Sequence, residues 1–192
     1  MEDIEGNVYN TVKIGTQEWM VENLKVTKYN DGLNIPLVEG NNKWKNIKTP
    51  AYCWYNNDIA NKEKYGALYN WYAVDTKKLA PIGWHVPTDE EWNTLASILV
   101  DHANRINKVC LYKGDFSALP GGYRSNDGNF NYQSNNGYWW SATENGAAYA
   151  WYRHLYCWYR YLYCGNDGND YLGRYNYYES CGFSVRLVRD LN

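Results

Sequence analysis

The sequence predicts one α+β domain, with two helices in the first half and short antiparallel strands in the second. Three observations carry this. An apolar stripe at helical spacing lies in "KYGALYNWYAVDTKK", and a capped helix opens at "HVPTDEEW". Beyond residue 120, short β-like segments alternate with turn signals. The chain closes on "GFSVRLV", where apolar and polar residues alternate. A length of 192 residues suits a single domain. Ten Trp and 21 Tyr supply bulk for its core where Leu, Ile and Val are sparse.

The first 25 residues read as β. "NVYNTVKIG" alternates Val8, Val12 and Ile14 with polar residues, and Gly15-Thr16 marks a turn before "QEWMVENL". Residues 30–50 are rich in Asn, Gly and Pro and read as loop. Tyr65, Leu68, Tyr69 and Tyr72 follow at i, i+3, i+4 and i+7, which predicts a helix ending near Lys77-Lys78. The next helix has Thr88 as N-cap and Glu91 three residues later, a capping box. Trp92, Leu95, Ala96, Leu99 and Ala103 then form its apolar face. Gly121-Gly122, "NDGN" and "NNG" separate the strands "YRS", "FNY" and "YWWSAT". "AWYR" reads as a further strand, with Trp151 inward and Arg153 pairing on the same side.

Several function classes find no support. No run of five or more Lys or Arg exists to neutralise phosphates, so no nucleic-acid partner is expected. No apolar run has the length of a membrane span. "MEDIEGNVYN" lacks the basic and apolar regions of a signal peptide. HExxH, Walker, GxSxG and GxGxxG patterns are missing. His85 in "GWHVP" reads as a structural hydrogen-bonding residue, and His102 as a helix-end one. "NDGN" and "GNDGND" read as turns, since neither continues into an EF-hand loop. Five cysteines exclude a fully paired intrachain framework, and no CxxC pair points to zinc. No metal or cofactor is expected.

One segment stands apart. Ten of the thirty residues from Tyr149 to Tyr178 are tyrosine, interleaved with Asn, Asp, Gly and Cys. Ten buried phenols would need many hydrogen-bond partners, which argues against a purely core role. Tyrosine gives large rigid contact area with few torsions to freeze, and Gly, Ser and Asn add adaptable loops, as in antibody paratopes. Six outward rings at up to ~150–250 Å² each would match the roughly 800 Å² per partner of a standard interface. The predicted ligand-binding residues are His154, Tyr156, Trp158, Tyr159, Tyr161, Tyr163, Asn166, Asp167, Asn169, Asp170, Tyr171, Tyr175, Tyr177 and Tyr178. The tyrosines among them from Tyr156 onward are expected on one contiguous, exposed face, while Tyr149 and Tyr152 are expected to be structural.

"GNVYNTVKIGTQEWMVENLKVTKYNDG", "AYCWYNND", "YGALYNWYAV", "PIGWHVPTDEEW", "LPGGYRS", "NNGYWWSAT" and "GFSVRLVRD" together resemble the Fibrobacter succinogenes major paralogous domain. The resemblance runs in order from about residue 6 to 190. That family is similar to the formylglycine-generating enzymes, and the resemblance implies a C-type lectin fold whose last strands carry a ligand-binding face. Some members of the broader group are variable proteins of diversity-generating retroelements, in which adenines of a template are copied with errors into the C-terminal coding region. The genetic code offers a check on that implication. Randomising the adenines of an Asn codon yields Tyr, His, Asp, Ser, Gly, Arg and Cys, among others. Of the 26 residues from Tyr156 to Cys181, 22 belong to that set with Asn; only Trp158, Leu162, Leu172 and Glu179 do not.

The sequence is therefore expected to encode a non-catalytic ligand-binding protein of C-type lectin fold, with a diversified Tyr-rich segment over about residues 151–181. The expected partner is a protein or a cell-surface glycan, and the expected setting a bacterial surface or a phage particle. The resemblance leaves two alternatives open. One is an undiversified structural domain. The other is an oxidase of the formylglycine-generating type, whose copper-binding cysteines have C-x4-C spacing. Cys157 and Cys164 are C-x6-C here, and on one strand their odd separation would put them on opposite faces.

Overall fold

A computed structural model of the chain describes residues 1–106, 116–156 and 172–191. The elements run β1 (Thr11–Ile14), β2 (Gln17–Met20), α1 (Asn41–Lys45), β3 (Tyr52–Cys53), α2 (Lys62–Tyr65), β4 (Leu68–Tyr69), α3 (Trp71–Asp75), α4 (Asp89–Ile106), β5 (Tyr123–Arg124), β6 (Phe130–Asn131), β7 (Asn136–Glu144), β8 (Tyr149–Tyr156), β9 (Gly173–Tyr178) and β10 (Val188–Asp190). The fold is α+β, with small antiparallel sheets of order β1-β2-β10, β3-β4, β5-β6 and β7-β8-β9. The first and last strands thus meet in one sheet around β2. Among the described residues there are four α-helices and not two, three of them only about a turn long, with two short 3-10 turns over Tyr55–Asn57 and Ile59–Asn61.

The opening hairpin forms where the alternation placed it. Its turn needs Gly15, which sits at φ +62°, and an added Cβ there would lie 2.8 Å from Ile98 on α4. β2 is buried along its whole length because its two faces meet different clusters. Trp19 packs on Trp92 at 5.0 Å, while Met20 joins the central core.

The helix expected over residues 64–78 does not form as one element. α2 stops at Tyr65, Gly66 turns at φ +73°, and Leu68-Tyr69 pair with Tyr52-Cys53 as strand. The reason is tertiary. A Cβ at Gly66 would lie 2.7 Å from the Leu24 carbonyl oxygen, and the Ala67 N–H donates to that same oxygen. Asn70 then starts α3 afresh: its side-chain oxygen accepts from the Ala73 and Ala51 N–H groups. Within residues 30–50 the loop reading holds, apart from α1.

α4 carries the expected capping box. The Thr88 N–H donates to Glu91 Oε2 at 2.7 Å, and the Glu91 N–H donates to Thr88 Oγ1 at 3.2 Å. His85 has the structural role foreseen for it, with Nε2 2.7 Å from Glu91 Oε1. Trp92 and Leu95 are buried against Trp139, Leu155 and Val188, with Ala96 and Leu99 packed alongside. α4 therefore covers one face of the β7-β8-β9 sheet. The side chains of His102 and Ala103 lie outside the described residues.

The closing segment also differs from a simple strand. Residues 182–184 make only isolated bridges to Arg124, Tyr69 and Trp139, and pairing resumes at β10. Phe183, Val185 and Leu187 are buried as the alternation requires, but so are Ser184 and Arg186. This stretch threads between core clusters, so both of its faces are covered.

Trp92 and Trp140 are both fully buried. Trp92→Ala and Trp140→Ala are each expected to cost about 3–5 kcal/mol, read as a lower denaturation midpoint in urea.

Candidate aromatic binding face

The pleat of β7, β8 and β9 sorts their side chains onto two faces. Tyr152 lies opposite Tyr175 in register, His154 opposite Gly173, and Tyr138 opposite His154. Tyr138, Trp140, Tyr152, His154, Tyr175 and Tyr177 therefore share the face turned away from α4. Tyr149, Trp151, Arg153, Arg174, Asn176 and Tyr178 share the other.

On the first face the rings form a continuous layer. Tyr138 stacks on His154 with centroids 4.3 Å apart and planes within 13°. Tyr123 reaches Tyr138 at 4.6 Å, and Tyr152 reaches Phe183 at 4.7 Å and Tyr175 at 6.0 Å. Tyr132 stacks on Tyr123 at the rim. Together Tyr123, Tyr138, Tyr152, His154, Tyr175, Tyr177 and Phe183 line an open cleft of about 240 Å³. Its floor is buried, whereas Tyr175 at the rim is 48% exposed.

The cleft is electrically neutral near pH 7. Burial pulls the His154 imidazole down to about 4, so it is uncharged. Burial pushes the Tyr123 phenol up to about 12 and raises the Tyr152 and Tyr177 phenols as well. The surface presents ring faces and neutral hydroxyl and imidazole groups. Such a surface can stack on a flat partner and make single hydrogen bonds.

The opposite face is structural. Asp89, at the start of α4, accepts from Arg153 Nη1 and from Arg174 Nε, each at 2.8 Å. Arg153 also reaches the Asp89 carbonyl and Asn93 Oδ1. Arg174 lies over the Trp151 ring at 3.4 Å. Trp151 and Arg153 do share a face, as expected, and Arg153 is the more deeply buried of the two.

The predicted site residues are only partly brought together. His154, Tyr175 and Tyr177 meet at the cleft. Tyr178 does not: it is 40% exposed on the α4 side, paired with Tyr149 at 4.8 Å, and touches Tyr177 only around the strand end at 5.5 Å. The single contiguous face expected for the tyrosines is thus split where β9 alternates. Tyr152 is buried, in keeping with a structural role, yet it also lines the cleft. Tyr156 ends β8, with its side chain outside the described residues. Trp158, Tyr159, Tyr161, Tyr163, Asn166, Asp167, Asn169, Asp170 and Tyr171 also lie outside them, as do Cys157 and Cys164. Cys53 and Cys181 are free and buried.

Besides Tyr152, three lining residues were not foreseen: Tyr123, Tyr138 and Phe183. All three come from stretches read only as strands. The alternation of Tyr138 with Trp140 was the available signal, because it puts both on one face.

Fold and site together define an α+β domain with an aromatic cleft on the face of the β7-β8-β9 sheet turned away from α4. The model of the Fibrobacter succinogenes major domain matches residues 12–189, and the chain belongs to that family. No curated protein and no solved structure matches the chain.

Neutral burial of His154 has a pH signature. The unfolded chain takes up that proton near 6.5 and the folded chain only near 4, so protonation favours unfolding. The contribution is complete above pH 6.5 and is lost as pH falls toward 4. It should amount to on the order of 3 kcal/mol at the acid end. His154→Phe keeps a ring in the stack and should flatten this part of the stability–pH curve relative to the parent. Equal slopes for the two proteins between those pH values would refute the assignment.

Proposed function

We propose that this domain is a non-catalytic ligand-binding module of C-type lectin type, and that the Tyr-rich segment is its diversified binding face. The observation that carries the proposal is the continuity between cleft and segment. β8 and β9 are the two ends of the tyrosine-rich stretch, and His154, Tyr175 and Tyr177 on them line the cleft. The residues from Tyr156 to Cys181 are also those whose composition fits adenine-directed change from Asn codons. The lectin-type assignment is supported by the meeting of first and last strands around β2 and by late strands that carry the aromatic face. The proposed partner is a protein or glycan on a cell surface, and the proposed carrier is a bacterial surface or phage particle.

A scaffold that tolerates change must be held by residues outside the changing positions. Trp19, Trp92, Trp139, Arg124 and Arg186, all outside the segment and all fully buried, meet that need. Within the segment, Arg153, Leu155, Leu172, Glu179 and Cys181 are buried too. The proposal therefore assigns them to the scaffold and restricts free variation to the remaining positions.

Two measurements test the proposal. The flanking DNA should hold a reverse transcriptase gene and an imperfect repeat of the codons for residues 151–190, differing at adenines. Intact flanking sequence without either would remove the diversification. Separately, Tyr175→Ser should change stability by within about 0.5 kcal/mol, since its ring is half-exposed. On a panel of intact bacterial cells that the parent domain labels, the same variant should lose labelling, because a few aromatic anchors carry most binding energy. Unchanged labelling would place the binding surface elsewhere.

A further inference from the structure

We propose that the cleft between Tyr138, Tyr152, His154 and Tyr175 is an anchor pocket for one uncharged aromatic side chain of a protein partner. The inference rests on the binding-face reading and narrows it, from a protein or glycan to a protein that presents a Tyr, Trp or Phe ring.

Size is the first argument. The cleft measures about 240 Å³, below the ~300–1,000 Å³ of ordinary small-molecule sites, and suits a single ring. Chemistry is the second. Every lining residue among the described ones is Tyr, His or Phe, with no carboxylate, ammonium, guanidinium or carboxamide among them. A charged ligand group seated on this floor would lose water without meeting a counter-charge, which disfavours it strongly. A pyranose would find ring faces to stack on. Among the described lining residues it would not find a carboxylate or carboxamide, whose paired atoms can hold two neighbouring hydroxyls at once. An aromatic side chain needs neither: it takes edge and face contacts from Tyr138, Tyr152 and Phe183, and its one polar atom can meet a phenol or the imidazole.

Rigidity is the third argument. The floor residues Tyr138, Tyr152, His154 and Phe183 are buried and stacked on one another, so little ordering remains for binding to impose. Tyr175 and Tyr177 form a more exposed rim above them. A rigid, dry centre inside an adaptable rim is the anatomy of an interface hot spot. Finally, Tyr123, Tyr138 and Phe183 lie outside the Tyr-rich segment, which spans about residues 151–181. Tyr138 and Phe183 of the floor would then persist, while Tyr152, His154 and the rim lie within the segment. Different partners would share the same kind of anchor and differ in what surrounds it.

The test is a titration of the whole chain, carrying 13C-labelled tyrosine and histidine rings, followed by NMR. The probes are p-cresol and 3-methylindole, standing for Tyr and Trp side chains, and methyl β-D-galactopyranoside and methyl α-D-mannopyranoside. The expected result is a saturable shift of Tyr138, Tyr152 and His154 with the two aromatic probes and none with the glycosides. Tyr175→Ser should weaken aromatic-probe binding about tenfold, whereas Tyr178→Ser, on the other face, should leave it unchanged. Glycosides that saturate the same resonances as well as or better than the aromatic probes would overturn the proposal in favour of a sugar site. Silence of these rings toward all four probes would overturn it outright, as would equal weakening by the two Ser variants. Each of these outcomes leaves the diversified binding face standing, since that reading is decided by flanking DNA and cell labelling.

Discussion

A single buried guanidinium organises this domain. Arg186 is fully buried, and its partners among the described residues are neutral oxygens: the carbonyls of Met20, Phe116 and Ser117, and Oδ1 of Asn23. Its plane lies over Phe116 at 4.3 Å, with the Trp139 ring 5.5 Å away. Burial lowers the group only to about 9, so it stays charged near neutrality. A buried charge is tolerated only where each donor finds an acceptor, and the acceptors here come from parts of the chain far apart in sequence. Asn23 joins the set from its other side, donating to the Tyr65 carbonyl while accepting from Trp139 Nε1 at 2.8 Å. The N-terminal hairpin, the end of α2, residues 116–117, β7 and the closing segment are thus fixed against one another by one residue's geometry.

The same device recurs where the sheets are smallest. Arg124 donates to the carbonyls of Gly128, Val38 and Glu39 and lies between the rings of Trp44 and Phe130. β3 to β6 are only two residues long each, too short to stand by their own ladder bonds. A planar donor fork that captures loop carbonyls does for these strands what longer pairing does elsewhere. Arg153 repeats the pattern against Asp89, and there the partner is a carboxylate already suited to a helix N-terminus.

Local chemistry was legible in the sequence, and tertiary capture was not. Thr88 and Glu91 announce their helix because both halves of the capping box lie within four residues. The α+β class follows from similar local signals. The supposed helix over 64–78 failed because its decisive contact, Ala67 to Leu24, spans a distance that periodicity does not see. Gly66 and Asn70 were nonetheless a warning, being a C-terminal stop and an N-cap within five residues. The burial of Arg124 and Arg186 was not legible, since nothing local marks a guanidinium for burial. At the candidate site, His154, Tyr175 and Tyr177 were found by composition. Composition has no phase, however, so it placed Tyr178 on the same face, and only the register of β9 against β8 separates them.

That register explains why the two faces of one sheet differ so much. The α4 side is closed by a helix, so its tryptophans and Leu155 are covered by another element and Arg153 has a carboxylate to bind. On the other side Trp140 and Ala150 pack into the central core with Trp71 and Val74 of α3, and toward the cleft the rings cover one another. Leucine or valine there would leave apolar surface in water. Phenols solve the problem differently: the ring faces stack inward on Phe183, while the hydroxyl end tolerates contact with solvent. A self-covering layer of this kind is stable without a partner, yet it still offers exposed ring edges at Tyr175 and Tyr177. Tyrosine in this region thus follows first from the partly open cleft end of this face, and the capacity to bind is built on that same layer.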